Sequence, residues 1–594
     1  MPQIGSRTYD TITKIRGADT TSSPFSIPSD KWQSVTDGYL SKAGGLEKRG
    51  GLLPILSAMG GTPTGIYQAR KADATSKIVG STGTNLAYWT GSAWSNLYTS
   101  IPAGVTPDFQ MYSDYLIMAQ GGSANPQKWD LAAASSSDLS AYRGKFCIRF
   151  KNYLFLINTT ESGVSYPYRV RFSCLPEDFL IGSLNDAVNF PAANYIDLLN
   201  VSSDEETGVR VLGDWLLCYK RKEYSRVEYT GDPDVPFVVV DNAAGFGSVA
   251  HKSIRTLPFY APSGKGSLGQ HHIFYGDGGF YVCNGIGAPQ LISDEIQRSV
   301  DEINPDYVAG ITSLLDTERA LVYFWVPTGT SAVNNKCIVY DYISDLWFPD
   351  FTWKAGAATT FIGTTGAKSY YITDPRSAVG GRVYELWGAT YDIAGATGAV
   401  TSATSTTISD TSKAWTVDAM IGATARRVTV DSSNSWTEVE SRTITANTAT
   451  QFTVDSAWTT TPVVGDLYEV GGIPFEADTK DFVFSAPERD KIIHRLNVFA
   501  KAPYAHRMQV RWYFDYDIGT AYQDNFTMLG SGRLWSTARN WSPTIKWGGG
   551  QVEDEPLFIG ERCKAIRFRF SNKRPSEEVV LYGGSVEHTL ATQT

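Results

Sequence analysis

Short apolar and aromatic runs, each closed by a tight turn rich in Gly, Asp or Asn, recur through the first two thirds of the chain. The clearest unit is Ile273-Phe274-Tyr275, the turn Gly276-Asp277-Gly278-Gly279, and Phe280-Tyr281-Val282. Lys77-Ile78-Val79 leads through Gly83-Thr84-Asn85 to Leu86-Ala87-Tyr88-Trp89. Leu321 to Trp325 is followed by Cys337 to Tyr340, and Ser369 to Ile372 by Arg382 to Trp387. Such runs predict β-hairpins, because Gly, Asn and Asp tolerate the positive φ of hairpin turns. Recurrence about every 40–50 residues predicts propeller blades, roughly six to eight of them.

The pattern divides the chain into four parts. Residues 1–60 carry few strand signals and read as an N-terminal arm able to wrap a neighbour. Residues 61–390 carry the hairpins and read as a β-propeller; only Ser293 to Leu315 looks helical there, and Pro305 interrupts it. Residues 391–472 are rich in Thr, Ser, Ala and Val and repeat weakly: Ile408-Ser409-Asp410 precedes Ala414-Trp415, and Val454-Asp455 precedes Ala457-Trp458. This stretch reads as an inserted small β domain. Residues 473–594 return to strict alternation. Met508, Val510, Trp512 and Phe514 oppose Gln509, Arg511, Tyr513 and Asp515, while Ile566, Phe568 and Phe570 alternate with Arg567 and Arg569. That is the signature of a half-buried antiparallel sheet, here one layer of a C-terminal β-sandwich packed with the propeller.

Composition agrees with an all-β chain. Of 594 residues, 13% are aromatic, and 55 Gly and 27 Pro supply turns. The net charge of −9 opposes tight non-specific DNA binding, which needs Lys and Arg to neutralise phosphates. It does not oppose a channel that DNA slides through. The six cysteines are scattered without a CxxC pair and read as reduced core residues of a chain made in a cytosol. The first twenty residues are polar and do not read as a signal peptide, and no run reaches the length of a membrane span.

Candidate chemistry is sparse. Gly264-Lys265-Gly266-Ser267-Leu268-Gly269 matches a dinucleotide fingerprint, but a strand follows where the phosphate-holding helix should start, so no cofactor is expected. His271 and His272 are adjacent on that strand and point to opposite faces, so no metal is expected. Asp515-x-Asp517-x-Gly519 resembles the start of a calcium loop but has Phe526 where Glu is required. Asp277, Asp341, Asp345 and Asp374 lie near turns, where Asp is expected without any catalytic role. No catalytic residues are assigned, and the chain reads as a non-enzyme. Lys220-Arg221-Lys222 is a basic cluster with two readings, contact with DNA phosphates or a solvated hairpin end.

Three stretches resemble the tail nozzle proteins of short-tailed phages, also called tail tubular protein B or head-to-tail stabilisation proteins. The first is Ser23 to Pro28 followed by the Gly-flanked basic turn Gly44 to Gly51, which holds Lys48 and Arg49. The second is Val339-Tyr340-Asp341-Tyr342 leading to Leu346-Trp347. The third is Val383 to Leu386, resuming at Ile473 to Phe482. The resemblance implies a structural virion protein whose copies, six in number, form a ring below portal and adaptor. The ring would contact tail fibres or spikes and conduct double-stranded DNA without binding it tightly. Lys48 and Arg49 are then candidates for an assembly contact, and Lys220, Arg221 and Lys222 for a DNA-facing surface. The alternatives are a receptor- or carbohydrate-binding tail protein and a propeller hydrolase.

Overall fold

The computed structural model describes residues 7–591 except 13–15, 24–25, 43, 176, 183–184, 200–203, 243–244, 261–268, 377–379, 431–435, 485–486, 504 and 530–552. Pro24, Phe25, Gly264 and Gly266 therefore lie outside the described residues. The fold is all-β. Among the described residues, α-helix is confined to Asp186–Asn189 and Gln297–Asp301. The stretch expected to be helical resolves into the short turns Asp294–Ile296, Gln297–Asp301 and Pro305–Gly310. Asn304 caps the last of these, accepting a hydrogen bond from Asp306 N–H, and Thr312–Asp316 beyond it is a strand.

Two compact units share the chain. A terminal unit comprises residues 1–53, 346–352 and 386–594, and a central unit comprises 54–345 and 353–385. The central unit contains seven consecutive groups of antiparallel strands, six of them in four-stranded sheets and the sixth in chain order forming the first strands of a larger sheet. Their first strands are Pro63–Arg70, Asp108–Tyr112, Arg143–Phe150, Gly208–Leu212, Arg255–Leu257, Thr312–Asp316 and Ala357–Ile362. Each pairs with the strand that follows it in sequence.

Turn chemistry sets these hairpins. Ser113 and Asp114, and Lys151 and Asn152, have positive φ at both central positions of two-residue turns, the geometry that matches the twist of paired strands. First strands of successive sheets are neighbours, and that of the seventh lies beside that of the first. There the Gln68 amide donates to Ile362 O at 2.9 Å, and Ile362 N–H donates to Gln68 Oε1 at 2.8 Å.

Adjacent sheets share apolar clusters. Phe155, Phe172, Ile157, Leu216, Val227 and Phe237 fill the space between the third and fourth sheets. Leu212, Tyr219, Ile254 and Phe274 do so between the fourth and fifth. Burying a Phe in such a cluster stabilises the fold by about 3–5 kcal/mol relative to Ala. The six cysteines are free, and all but Cys174 are buried.

The terminal unit holds the two ends of the chain in common sheets. Thr8–Ile12 pairs with Val580–Leu590, which also pairs with Lys491–Lys501 and Leu46–Lys48. Ser34–Thr36 pairs with Phe475–Asp478, which pairs in turn with Ile566–Asn572. The segment expected to be an arm able to wrap a neighbour thus spends its described strands within its own chain. On Ile566–Asn572, Ile566, Phe568 and Phe570 are fully buried, as their alternation predicts. The opposite face is closed by ion pairs: Arg567 binds Asp481 at 2.6 and 3.0 Å, and Arg569 binds Asp478 at 2.6 Å through two nitrogens.

The inserted stretch forms a seven-stranded sheet of its own, from Ala396–Ala399 to Leu467–Val470 in sequence. Trp415, Phe452 and Tyr468 pack as a ring cluster with centroids 5.6–6.2 Å apart, and Tyr468 OH donates to Asp410 Oδ2 at 2.7 Å.

Candidate functional site

The basic turn Gly44 to Gly51 is an internal tie of the terminal unit. Lys48 is buried, and its ammonium donates to Asn572 Oδ1 at 2.7 Å and to Arg574 O at 2.9 Å. Burial holds the Lys48 pKa down to about 7. Arg49 is also buried, with Nε on Asp37 Oδ1, Nη1 on Asp392 Oδ1 at 2.9 Å, and Nη2 on Asp392 Oδ2 and Thr352 Oγ1, both at 2.8 Å. Thr352 completes the cluster by donating its N–H and hydroxyl to Asp37 at 2.9 and 2.7 Å. Burial raises the Asp37 carboxyl and Arg49 pulls it back. With donors on both of its oxygens, the ionised form is the one this geometry fits. Both side chains are buried and bonded within their own chain, where an assembly contact would need them exposed.

The cluster Lys220, Arg221 and Lys222 is split by the fold. Lys220 is buried and donates to Glu223 Oε1 at 2.9 Å and Leu198 O at 2.7 Å, so it cannot face DNA. Arg221 is exposed at a hairpin end, 3.3 Å from Asp277, and Lys222 is exposed beside it.

The remaining candidates serve turns and cores. His272 accepts from Tyr219 OH at 2.8 Å and donates to Val211 O at 3.1 Å; desolvation lowers its pKa to about 3, so it is neutral. His271 bonds to Gly269 O instead. Asp341 caps Ile343 and Ser344 N–H, Asp345 accepts from Tyr340 OH at 2.6 Å, and Asp374 pairs with Arg376. Asp515 accepts from Lys564 and Ala565 N–H, and Asp517 from Gly519 N–H. Among the described residues no group of three His, Cys, Asp or Glu side chains is arranged to hold a metal.

The feature that sequence reasoning missed is a cavity of about 690 Å³ in the central unit, lined by residues from all seven first strands. Asp108 stands at the start of the second of these. Its Oδ1 lies 3.3 Å from His251 Nε2, and its Oδ2 accepts from Cys147 N–H at 3.1 Å. His251 Nδ1 accepts from Val209 N–H at 3.2 Å, and its ring packs on Phe146 with centroids 4.4 Å apart. These contacts orient the imidazole and draw the Asp108 carboxyl below its ordinary range against the pull of burial. Nearby walls are cationic: Arg210 on the fourth strand, Lys252 just before the fifth, and Arg255 at its start. Burial lowers all three, Lys252 to about 8. All three are half-buried.

No protein-family model matches the chain, and no curated protein matches it. Among solved structures, the extracellular domain of a hybrid two-component system from B. thetaiotaomicron aligns at 11% identity and a TM-score of 0.29, over 76% of this chain and 47% of that one. The aligned part thus spans about half the length of that structure. An exo-β-1,3-galactanase from Phanerochaete chrysosporium aligns at 8% identity and a TM-score of 0.25, over 84% of this chain and 100% of that one. AztD from Citrobacter koseri aligns at 9% identity and a TM-score of 0.28, over 69% and 90%. Scores of this size define no common fold, so the reading of function rests on the chain's own residues.

Proposed function

We propose that the chain is a structural subunit of a phage tail, of the nozzle class its sequence resembles, and that the seven sheets of the central unit are the blades of a propeller. The observation that carries this is the Gly44 to Gly51 turn. The stretch that opens the resemblance places Arg49 at the hub of a buried cluster drawing on residues 37, 352 and 392. The motif is thereby a construction element, which suits a protein whose work is to hold shape. The Gln68–Ile362 clamp and the clusters shared between sheets support the propeller reading.

On this reading DNA does not thread one chain. A turn of duplex roughly 20 Å wide and ~34 Å long displaces on the order of 10,000 Å³, against about 690 Å³ for the cavity. The bore is built between copies, side by side in a closed ring with heterologous interfaces. Electron microscopy and native mass measurement of the purified chain, alone and with adaptor-bearing heads, test the reading. Rings on the heads are expected. A chain that stays monomeric beside them, or that binds duplex DNA at nanomolar levels in physiological salt, overturns it.

The alternative is a receptor- or carbohydrate-binding tail protein. It draws on the exposed rings of Phe246, Phe259 and Tyr307 in the central unit, whose faces could stack on sugars. A glycan array separates the two: a defined glycan bound by the wild type and lost in Phe246→Ala or Tyr307→Ala favours this alternative.

A further inference from the structure

The cavity of the central unit holds more positive charge than the protein around it neutralises. Its walls carry Arg149, Arg210, Lys252, Arg255 and Lys368 against the single carboxylate of Asp108. That carboxylate is already committed to His251 and the Cys147 N–H. The hydrogen bonds of the cations go only to neutral partners, while Asp108 attracts Arg210, Lys252 and Arg255 through space. Lys252 donates to Thr64 O at 2.9 Å, Arg255 to Ile254 O at 3.3 Å and to Ser313 O, Arg149 to Asn152 Oδ1, and Lys368 to Thr317 Oγ1 at 2.9 Å. Arg210 makes no hydrogen bond or ion pair with any described residue. A half-buried guanidinium whose N–H groups have no protein acceptor gains from an anionic acceptor that joins it.

We propose that this cavity binds a small, multiply charged oxyanion of the phosphate type, with Arg210 and Arg255 as its principal donors and Lys252 beside them. Three features point to that class. The volume falls within the ~300–1,000 Å³ of small-molecule sites and excludes duplex DNA. The guanidinium fork matches the paired oxygens of phosphate better than it matches a halide. Arg210 and Arg255 come from two neighbouring first strands of successive sheets, and Lys252 from the short turn His251–Ser253 just before the second of them, so regular elements place the two principal donors. Free phosphate and a phosphomonoester share this chemistry.

Titration calorimetry on the full chain tests the site, with inorganic phosphate and glycerol phosphate as probes in chloride buffer of matched ionic strength. Saturable binding at sub-millimolar concentration is expected. Tighter binding of the free ion assigns the site to phosphate itself, and tighter binding of the ester assigns it to esters. Arg210→Gln and Arg255→Gln should each weaken binding at least tenfold, while Arg221→Gln, outside the cavity, should leave it unchanged. Arg210→Lys, which keeps the charge but lacks the fork, should weaken it by a smaller factor. In phosphate-free buffer Arg210→Gln should melt at or above the wild-type temperature, because it removes an unpaired charge; a merely structural arginine would lower the melt. Absence of binding, wild-type affinity in Arg210→Gln, or tighter binding of a short oligonucleotide that Arg210→Gln does not affect would overturn the proposal.

Discussion

Replacing Arg49 with Ala tests whether the Gly44 to Gly51 turn is a structural hub. The side chain is fully buried and satisfies Asp37 and both oxygens of Asp392. Truncation leaves the Asp37 carboxylate, itself without exposure, facing only Thr352. Breaking a buried pair by removing one partner costs about 3–5 kcal/mol, because the surviving charge stays desolvated. For a unit of this size each kcal/mol moves the midpoint by about 2–4 °C, so the transition should fall by roughly 6–20 °C. Scanning calorimetry of the full chain reads it, and the transition of the central unit should stay in place. Asp37→Asn keeps the shape at a positive-φ position where Asn is tolerated. Because that variant no longer buries a charge, adding it to Arg49→Ala should recover part of the loss. A melt of Arg49→Ala within a degree or two of wild type, or a double variant no better than the single one, would show that the cluster does not hold the unit together.

Two further outcomes follow from the same structure. His272 has a folded pKa of about 3 against an ordinary 6.5, so below pH ~6.5 the unfolded chain binds a proton that the folded one refuses. Its contribution is complete above pH ~6.5 and shrinks as pH falls toward 3, by about 2 kcal/mol at pH 5; urea titrations of His272→Gln should show a correspondingly flatter acid limb, and an unchanged limb would refute the assignment. The inserted stretch is pinched where Asp392 N–H donates to Gly471 O at 2.8 Å. Replacing residues 394–470 with a short Gly linker should therefore leave a cooperative melt, whereas deleting 392–472 removes Asp392 and should carry a penalty like that of Arg49→Ala. Equal melts for the two deletions would refute the role given to Asp392.

The hairpins legible in the sequence are mostly the second and third strands of each sheet. Leu321–Val326 and His271–Gly276 are buried on both faces, so they read as unbroken apolar runs. The first strands line the cavity and are mixed in polarity. Arg255–Leu257 has three residues, and Gly208–Leu212 sets Arg210 between Val209 and Val211. Their signal is a single charged residue inside a period-two pattern, which is easily taken for a solvent-facing position. The cavity was invisible for that reason, and so was its charge. The burial of Lys48 and Arg49 is hidden for another reason. A Gly-flanked basic turn has the composition of a surface loop, and Asp392, which buries Arg49, lies 343 positions away. Alternation does fix which residues of Ile566–Asn572 enter the core, but not that Asp478 and Asp481 close its other face.

The same gap governs what net charge can say. An excess of nine acids describes the whole chain, whereas binding depends on where charge sits relative to water. Solvated charges of the chain's outer surface are screened within about 10 Å at ordinary salt, so the acid excess acts weakly on any one phosphate. Half-buried charges escape part of that screening, and at the cavity the balance is reversed, with one carboxylate among five cations, of which Arg210, Lys252 and Arg255 are half-buried. On the proposed nozzle reading, a bore can pass duplex DNA without holding it while each chain attracts a small oxyanion, because the cavity's size admits the second and excludes the first. The two properties should separate experimentally. Raising salt from 50 to 200 mM should weaken oligonucleotide contacts at exposed Arg221 and Lys222 much more steeply than phosphate binding at Arg210, since only the former depends on displacing a counterion atmosphere from a polymer. A common salt slope for both would place the phosphate on the outer surface and not in the cavity.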